Sequence, residues 1–355
     1  MIPVVRNNTE ALLKSRYFIP FLIMLLLTEC ISAEKEDSST DSNAAVKKQT
    51  TVQKKPAEFQ PEKPQVITFN NSDLKVAIYS KSFSQGDAVY AEIEKEANGY
   101  MPESLSILYK GAKLPVTKTA WGYKSLWGIN PEQKTGKLAV SVTYKKDEQT
   151  ITLSSDILVK KANFLVSTTK LDLGNFSDKN YTSDPKFKET IAECSELRKK
   201  AFSSVTENKI QNTISHPRDM HKVTSEYWKK RIYLTYQTKN KKKVSGSRSS
   251  IHRGVDLKGD VGAPVYAMAD GVVVLAHRMF YEGNMVVIDH GNQIFSYYQH
   301  LDSISVKTGD EVKAGDTLGG VGATGMVTGP HLHVAFVIHG AHIDPLSILS
   351  LPISK

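Results

Sequence analysis

The chain has 355 residues, 40% of them hydrophobic, and a formal net charge of +9 at pH 7. That length accommodates two domains plus a tail, and the composition excludes a fibrous or wholly disordered protein. The positive charge predicts attraction to polyanions; a cell wall, a membrane surface and nucleic acid all qualify on charge alone.

Arg6, Lys14 and Arg16 precede the apolar run Tyr17 to Leu27, and the small residues Ser32 and Ala33 follow. This is the layout of a secretory signal, so residues 1–33 are expected to be a signal peptide. The run falls short of the roughly 20 residues that cross a bilayer, and Pro20 interrupts it. An uncleaved anchor and a lipidated N-terminus at Cys30 stay open as routes to membrane association, although Glu29 sits where lipidation favours a small residue. An exported protein follows, periplasmic or in the cell envelope, membrane-anchored or secreted, and nucleic acid drops out as a partner. Cys194 is the one cysteine outside this segment, so stability must come from packing rather than an internal disulfide.

Residues 34–65 are rich in Lys, Glu, Ser, Thr, Gln and Pro and are read as a disordered linker, because they carry too little apolar surface to offset chain entropy. From Val66 to about Leu165 apolar residues alternate: Leu74, Val76 and Ile78; Val89, Ala91 and Ile93; Leu138, Val140, Val142 and Tyr144. Turn formers such as Gln85-Gly86-Asp87, Asn98-Gly99 and Thr135-Gly136 separate the runs, which predicts a β-sandwich accessory domain over 66–165. It contains no histidine. Trp121, Tyr123 and Trp127 fit core or inter-domain packing better than a ligand-stacking platform.

Residues 183–206 read as a helix, with Asp184 as cap, Pro185 at the first position, and Phe187, Ile191, Cys194, Leu197 and Ala201 on one stripe. It is taken as part of a helical connector over 166–230. The run Arg231 to Tyr236 is expected to open the last domain, 231–355. Lys239, Lys241, Lys242 and Lys243 form a basic run, read as a solvated loop, with a wall-binding patch as the sharper alternative. Strands follow around Val265, Val272 to Leu275, Met285 to Ile288, Phe295 to Tyr298 and Leu332 to Ile338. The fold class is therefore mainly β, with a sandwich-like first domain, a connecting helix and an antiparallel β domain at the C-terminal end.

Eight of the ten histidines lie between His252 and His342. His252-Arg-Gly-Val-Asp256 and His331-Leu-His333 have even spacings, which on extended strands put both side chains on one face. Tyr298-Gln-His300-Leu lies between them. Imidazoles and a carboxylate are the donors that zinc takes, and a catalytic zinc keeps one position for water. His277, His290, His339 and His342 have no partner at a useful spacing and are assigned to surface or structure.

The stretch His252 to Leu346 resembles the lysostaphin-like, or LytM-type, zinc metallopeptidases. The resemblance rests on eight ordered signatures, among them His252-Arg-Gly-Val-Asp256, Gly283-Asn-Met-Val-Val-Ile-Asp-His-Gly291, Tyr298-Gln-His-Leu301 and Thr328-Gly-Pro-His-Leu-His333, with Asp344-Pro345 closing the domain. It implies His252, Asp256 and His333 as ligands of one Zn2+ per chain and His300 and His331 as acid–base residues. It further implies an antiparallel β-fold with a groove across the metal, and hydrolysis of peptide bonds in the stem or cross-bridge of peptidoglycan. With His-Glu-x-x-His absent, the general base must be a histidine. Two departures stand out. Where the family carries Phe-Gly-x-Arg, this chain has Lys243 to Ser250, with Arg248 as a stand-in; and Met326 and Val327 occupy positions where small polar residues are common. A catalytically silent wall-binding regulator that activates amidases is the alternative, and a lipoyl-carrier-like β-fold, suggested by Val306 to Gly315, the third reading.

Overall fold

The computed structural model describes residues 59–97, 100–210, 213–239 and 242–353. The expected signal peptide, Cys30, most of the expected linker, the Asn98-Gly99 turn and Lys241 lie outside the described residues. The chain is mainly β, and the described residues belong to one compact unit.

The alternation from Leu74 onward produces two antiparallel sheets. One orders its strands Gln65–Asn70, Leu74–Ser80, Ala88–Lys95, Gly122–Gly128 and Thr117–Lys118; the other is built on the hairpin Gly136–Lys146 and Gln149–Val159. Asp147 and Glu148 both have positive φ, +47° and +63°, the backbone that a two-residue hairpin turn needs to match strand twist. The inward side chains, including Leu74, Ile78, Ile93, Val140 and Ile157, form one buried cluster. Tyr123 and Trp127 belong to it, so these aromatics are core. Order begins before the expected boundary at residue 65, because Phe59 packs against His216 and His221 at ring distances of 4.8 and 5.0 Å.

The second large sheet orders Val223–Ser225, Val255–Leu257, Leu332–Ile338, Ile294–Leu301, Gly283–Asp289, Gly271–Met279 and Glu311–Val312. Its neighbours are antiparallel, and Ala341–Ile343 pairs with Leu332–Ile338. One face buries Val255, Leu257, Tyr298, Val334 and Phe336 in a core that also takes Ala88 and Tyr90 from the first region. Ala88 N donates to Ser347 Oγ at 2.9 Å across this contact. The opposite face buries Met285, Val287, Phe295, Tyr297, Ala335 and Val337 with Cys194 and Ala201.

Cys194 and Ala201 come from the helix Lys188–Phe202, and the apolar stripe is the side it turns to the sheet. The expected helix 183–206 is shorter. Pro185–Phe187 is a 3-10 turn capped by Asp184, whose side chain accepts from Lys186 N, and the α-helix follows it. The connector is also not purely helical. Val166–Leu171 pairs in parallel with Lys230–Lys239, and Val223–Ser225 edges the large sheet. The basic run likewise departs from expectation: Lys239 pairs with Lys242 at the end of a hairpin between Lys230–Lys239 and Lys242–Ile251, and Lys243 lies 3.7 Å over the Tyr236 ring.

Candidate metal centre

Strand register assembles the centre. Asp256 pairs directly with His333 on neighbouring strands. Val255, Leu257, Leu332 and Val334 are committed to the core, so pleat alternation turns Asp256, His331 and His333 to the other face. His252 lies outside a strand, in the turn between Lys242–Ile251 and Val255–Leu257. The even spacing of His252 and Asp256 therefore reflects a turn rather than one strand face.

One ligand atom from each of His252, Asp256 and His333 lies within 4.8 Å of the others. His252 Nε2 is 2.9 Å from Asp256 Oδ1 and 2.9 Å from His333 Nδ1, and His333 Nδ1 is 3.0 Å from Asp256 Oδ1. All three residues are buried, at 5%, 5% and 8% exposure, so the polar atoms are withdrawn from water and need a common partner. Two imidazole nitrogens and one carboxylate oxygen form a donor set suited to zinc. Burial alone would raise the Asp256 pKa; the His252 and His333 rings against it outweigh burial and hold the carboxyl well below its ordinary range. Burial lowers His333 from 6.5 to about 4, so its ring is neutral near neutrality and offers a lone pair.

Further partners orient these ligands. His252 Nδ1 faces the Glu226 carbonyl at 2.9 Å and must donate to it, leaving Nε2 as the free donor atom. Arg231 donates to Asp256 Oδ2, which leaves Oδ1 toward the two imidazoles. Thr224 Oγ1 donates to the Asp256 carbonyl at 3.1 Å. Gly254 is required by close approach: a Cβ there would stand 2.3 Å from Val334 O and 2.8 Å from His333 Cε1.

His300 and His331 stand beside the triad, with ring centroids 5.1 Å apart; His300 is 6.1 Å from His333. His331 Nε2 is 3.7 Å from Asp256 Oδ1. Strict alternation along Ile294–Leu301 would bury His300 beside Tyr298. A bulge prevents this: the register shifts between Asn284 and Val286, and His300 has φ +67°. His300 Nδ1 faces Thr324 O at 2.9 Å and His331 Nδ1 faces Gly329 O at 2.8 Å. Each Nδ1 must donate to its carbonyl, so each Nε2 carries the basic lone pair. Burial, then the neighbouring imidazoles, lowers His300 to about 3. A cavity of about 430 Å³ opens on this side, lined by Arg231, Tyr233, Asp256, His300, Met326 and His331.

Two of the other histidines lie away from the centre. His290 is fully buried, with Nδ1 2.7 Å from Asp270 O and Nε2 2.8 Å from Ser296 Oγ; His277 is exposed. Arg248 does not reach the triad; its guanidinium lies 4.8 Å over the Tyr233 ring. Arg231 takes the carboxylate instead. The signal for it was a lone Arg after Lys229-Lys230, since a guanidinium suits carboxylate pairing better than an ammonium. The Glu226, Thr324 and Gly329 carbonyls carry no sequence signal.

The model of peptidase family M23 matches residues 250–345. The chain is 39% identical over 133 residues to the peptidoglycan DD-endopeptidase ShyC of Vibrio cholerae, covering 37% of this chain and 28% of that protein. It is 43% identical over 99 residues to ShyA of the same organism, also named a peptidoglycan DD-endopeptidase, covering 28% of this chain and 23% of that one. The match thus spans about a quarter of each relative's length. A crystal structure from Pseudomonas aeruginosa assigned to peptidase M23 superposes with TM-score 0.50 at 21% identity, over 77% of this chain and 96% of that chain, a likeness of fold. The histidine and aspartate signatures all lie within residues 250–345, the stretch that matches peptidase family M23.

Proposed function

We propose that this chain is an exported zinc-dependent endopeptidase that hydrolyses peptide bonds in peptidoglycan stem peptides or cross-links. The observation that carries the reading is the convergence of His252, Asp256 and His333 beside two imidazoles whose Nε2 atoms are free. The names of ShyC and ShyA support a cell-wall peptide as substrate. Residues 1–33 support export by their composition.

His252 Nε2, Asp256 Oδ1 and His333 Nδ1 would hold the ion. A zinc ion bound by three protein ligands supplies Lewis acidity, polarising a carbonyl and lowering the pKa of water from 15.7 to about 7. Arg231 donates to Asp256 Oδ2 and orients the carboxylate. The Nε2 of His300 or His331 accepts the proton of the attacking water and returns it to the leaving amine, a general-base and then general-acid role. The carbonyls of Thr324 and Gly329 hold both rings in the tautomer this requires. Met326 and Tyr233 line the cavity beside these rings.

The test is incubation of the purified protein, with and without a chelator, with purified peptidoglycan, followed by mass identification of released fragments. Chelator-sensitive release of cleaved stem peptides is the expected result. A protein that takes up no zinc and digests no wall material is instead the silent regulator.

A further inference from the structure

Helix Lys188–Phe202 and the ligand strand Leu332–Ile338 enclose a second cavity, of about 550 Å³, on the same face of the sheet as the metal centre. Tyr297, Gln299 and Val337 line it from the sheet, Arg198 and Lys199 from the helix, and Arg253 and His342 complete the lining. Among the described residues, no carboxylate lines it.

The cations there are not equivalent. Arg198 pairs with Glu282, and Lys199 is 3.8 Å from Glu196. Arg253 is exposed and, among the described residues, makes no ion pair or side-chain hydrogen bond. The trough thus holds one uncommitted guanidinium, accompanied by the neutral amide of Gln299 and the ring of His342. It also abuts the triad. Arg253 directly follows His252, Gln299 pairs with His333 across strands, and Tyr297 stacks on the His333 ring at 5.9 Å and 30°.

We propose that this trough is a substrate subsite in which Arg253 binds a free carboxylate of the peptide whose scissile bond lies at the metal. The proposal rests on the peptide-hydrolase reading and adds the chemical class of the group recognised. A planar guanidinium fork matches a carboxylate through two parallel hydrogen bonds, and the Gln299 amide satisfies a remaining lone pair. One unpaired cation balances a monoanion, whereas a phosphate polymer calls for several. His300, which lines the first cavity, and Tyr297, which lines this trough, both contact the His333 ring, at 6.1 and 5.9 Å, so both cavities adjoin the triad.

The test is equilibrium binding of a wall-derived stem tetrapeptide to the zinc-loaded full chain by calorimetry. The peptide is used with its carboxylates free and fully amidated, and zinc content is measured for every variant. The wild type should bind the free form about tenfold more tightly than the amide. Arg253→Gln should abolish that preference at unchanged zinc content, and Arg253→Lys should retain part of it. A preference that survives in Arg253→Gln overturns the assignment, as does inorganic phosphate binding in an Arg253-dependent way with the peptide showing no preference. Peptidoglycan cleavage is scored separately. Cleavage without the preference removes the subsite and keeps the hydrolase; an Arg253-dependent preference without cleavage does the reverse.

Discussion

Gly254→Ala tests the geometry of the centre at its tightest point. The added Cβ would stand 2.3 Å from Val334 O, 2.8 Å from His333 Cε1 and 2.9 Å from His333 Nε2, whereas ordinary contact begins near 3.4 Å. Relief takes about 1.1 Å of separation between two paired strands, since Val255 and Val334 are ladder partners. Neither the carbonyl nor the buried ring has room to withdraw, so overpacking should cost about 1–3 kcal/mol of stability. The same displacement moves His333 Nδ1 away from Asp256 Oδ1 and His252 Nε2. Zinc affinity should fall about 10- to 100-fold, the loss typical when the surroundings of a ligand are disturbed. Gly262→Ala is the control: Gly262 has φ +82° but nothing within 4 Å, so it should carry backbone strain of about 1–2 kcal/mol without loss of metal. Zinc titration by calorimetry and urea unfolding of the metal-free protein read the two effects separately. If Gly254→Ala binds zinc within twofold of the wild type and unfolds at the same midpoint, the register argument for the triad is wrong.

Replacing His333 by Ala should remove metal and activity together, while His300→Ala and His331→Ala should keep most of the metal and lose about 100- to 10,000-fold in rate; metal loss in all three, measured by elemental analysis, refutes the division of roles. Arg231→Met leaves Asp256 Oδ2 buried without its cation, a change that costs about 3–5 kcal/mol at a buried pair. Chelator competition should show weaker zinc binding, and an unchanged affinity counts against a positioning role. Stability of the metal-free protein should also fall as pH drops. Burial depresses His216, His290 and His342 from 6.5 to about 4. Their contribution is complete above 6.5 and is lost as pH falls toward 4, about 2 kcal/mol by pH 5 for His290 alone. Asp344, raised by burial from 3.8 to about 6, acts in the opposite sense between those values, but three groups outweigh one. A urea midpoint that rises between pH 7 and pH 5 contradicts this balance.

Much of the chemistry was readable before the fold. Residue types and spacing marked His252, Asp256, His300, His331 and His333, and the family resemblance gave them roles, because a metal and a proton carrier demand nitrogen and carboxylate donors and few other side chains supply them. Periodicity marked strands such as Leu332–Ile338 and the buried side of helix Lys188–Phe202, because burial of one face is a local property of spacing. What spacing along the chain could not carry is contact across strands. The pairing of Asp256 with His333 depends on register between segments about eighty residues apart. The turn of His300 toward the triad depends on a bulge whose extra residue looks ordinary in the sequence. The Glu226 carbonyl reaches His252 from a segment expected to be helical connector, because Val223–Ser225 joins the sheet beside Asp256, and Arg231 reaches Asp256 from the strand expected to open the last domain. Donor chemistry belongs to single residues and survives in a linear text. The arrangement that turns the donors into one centre belongs to hydrogen-bonded pairs of strands, and only the folded chain forms those pairs.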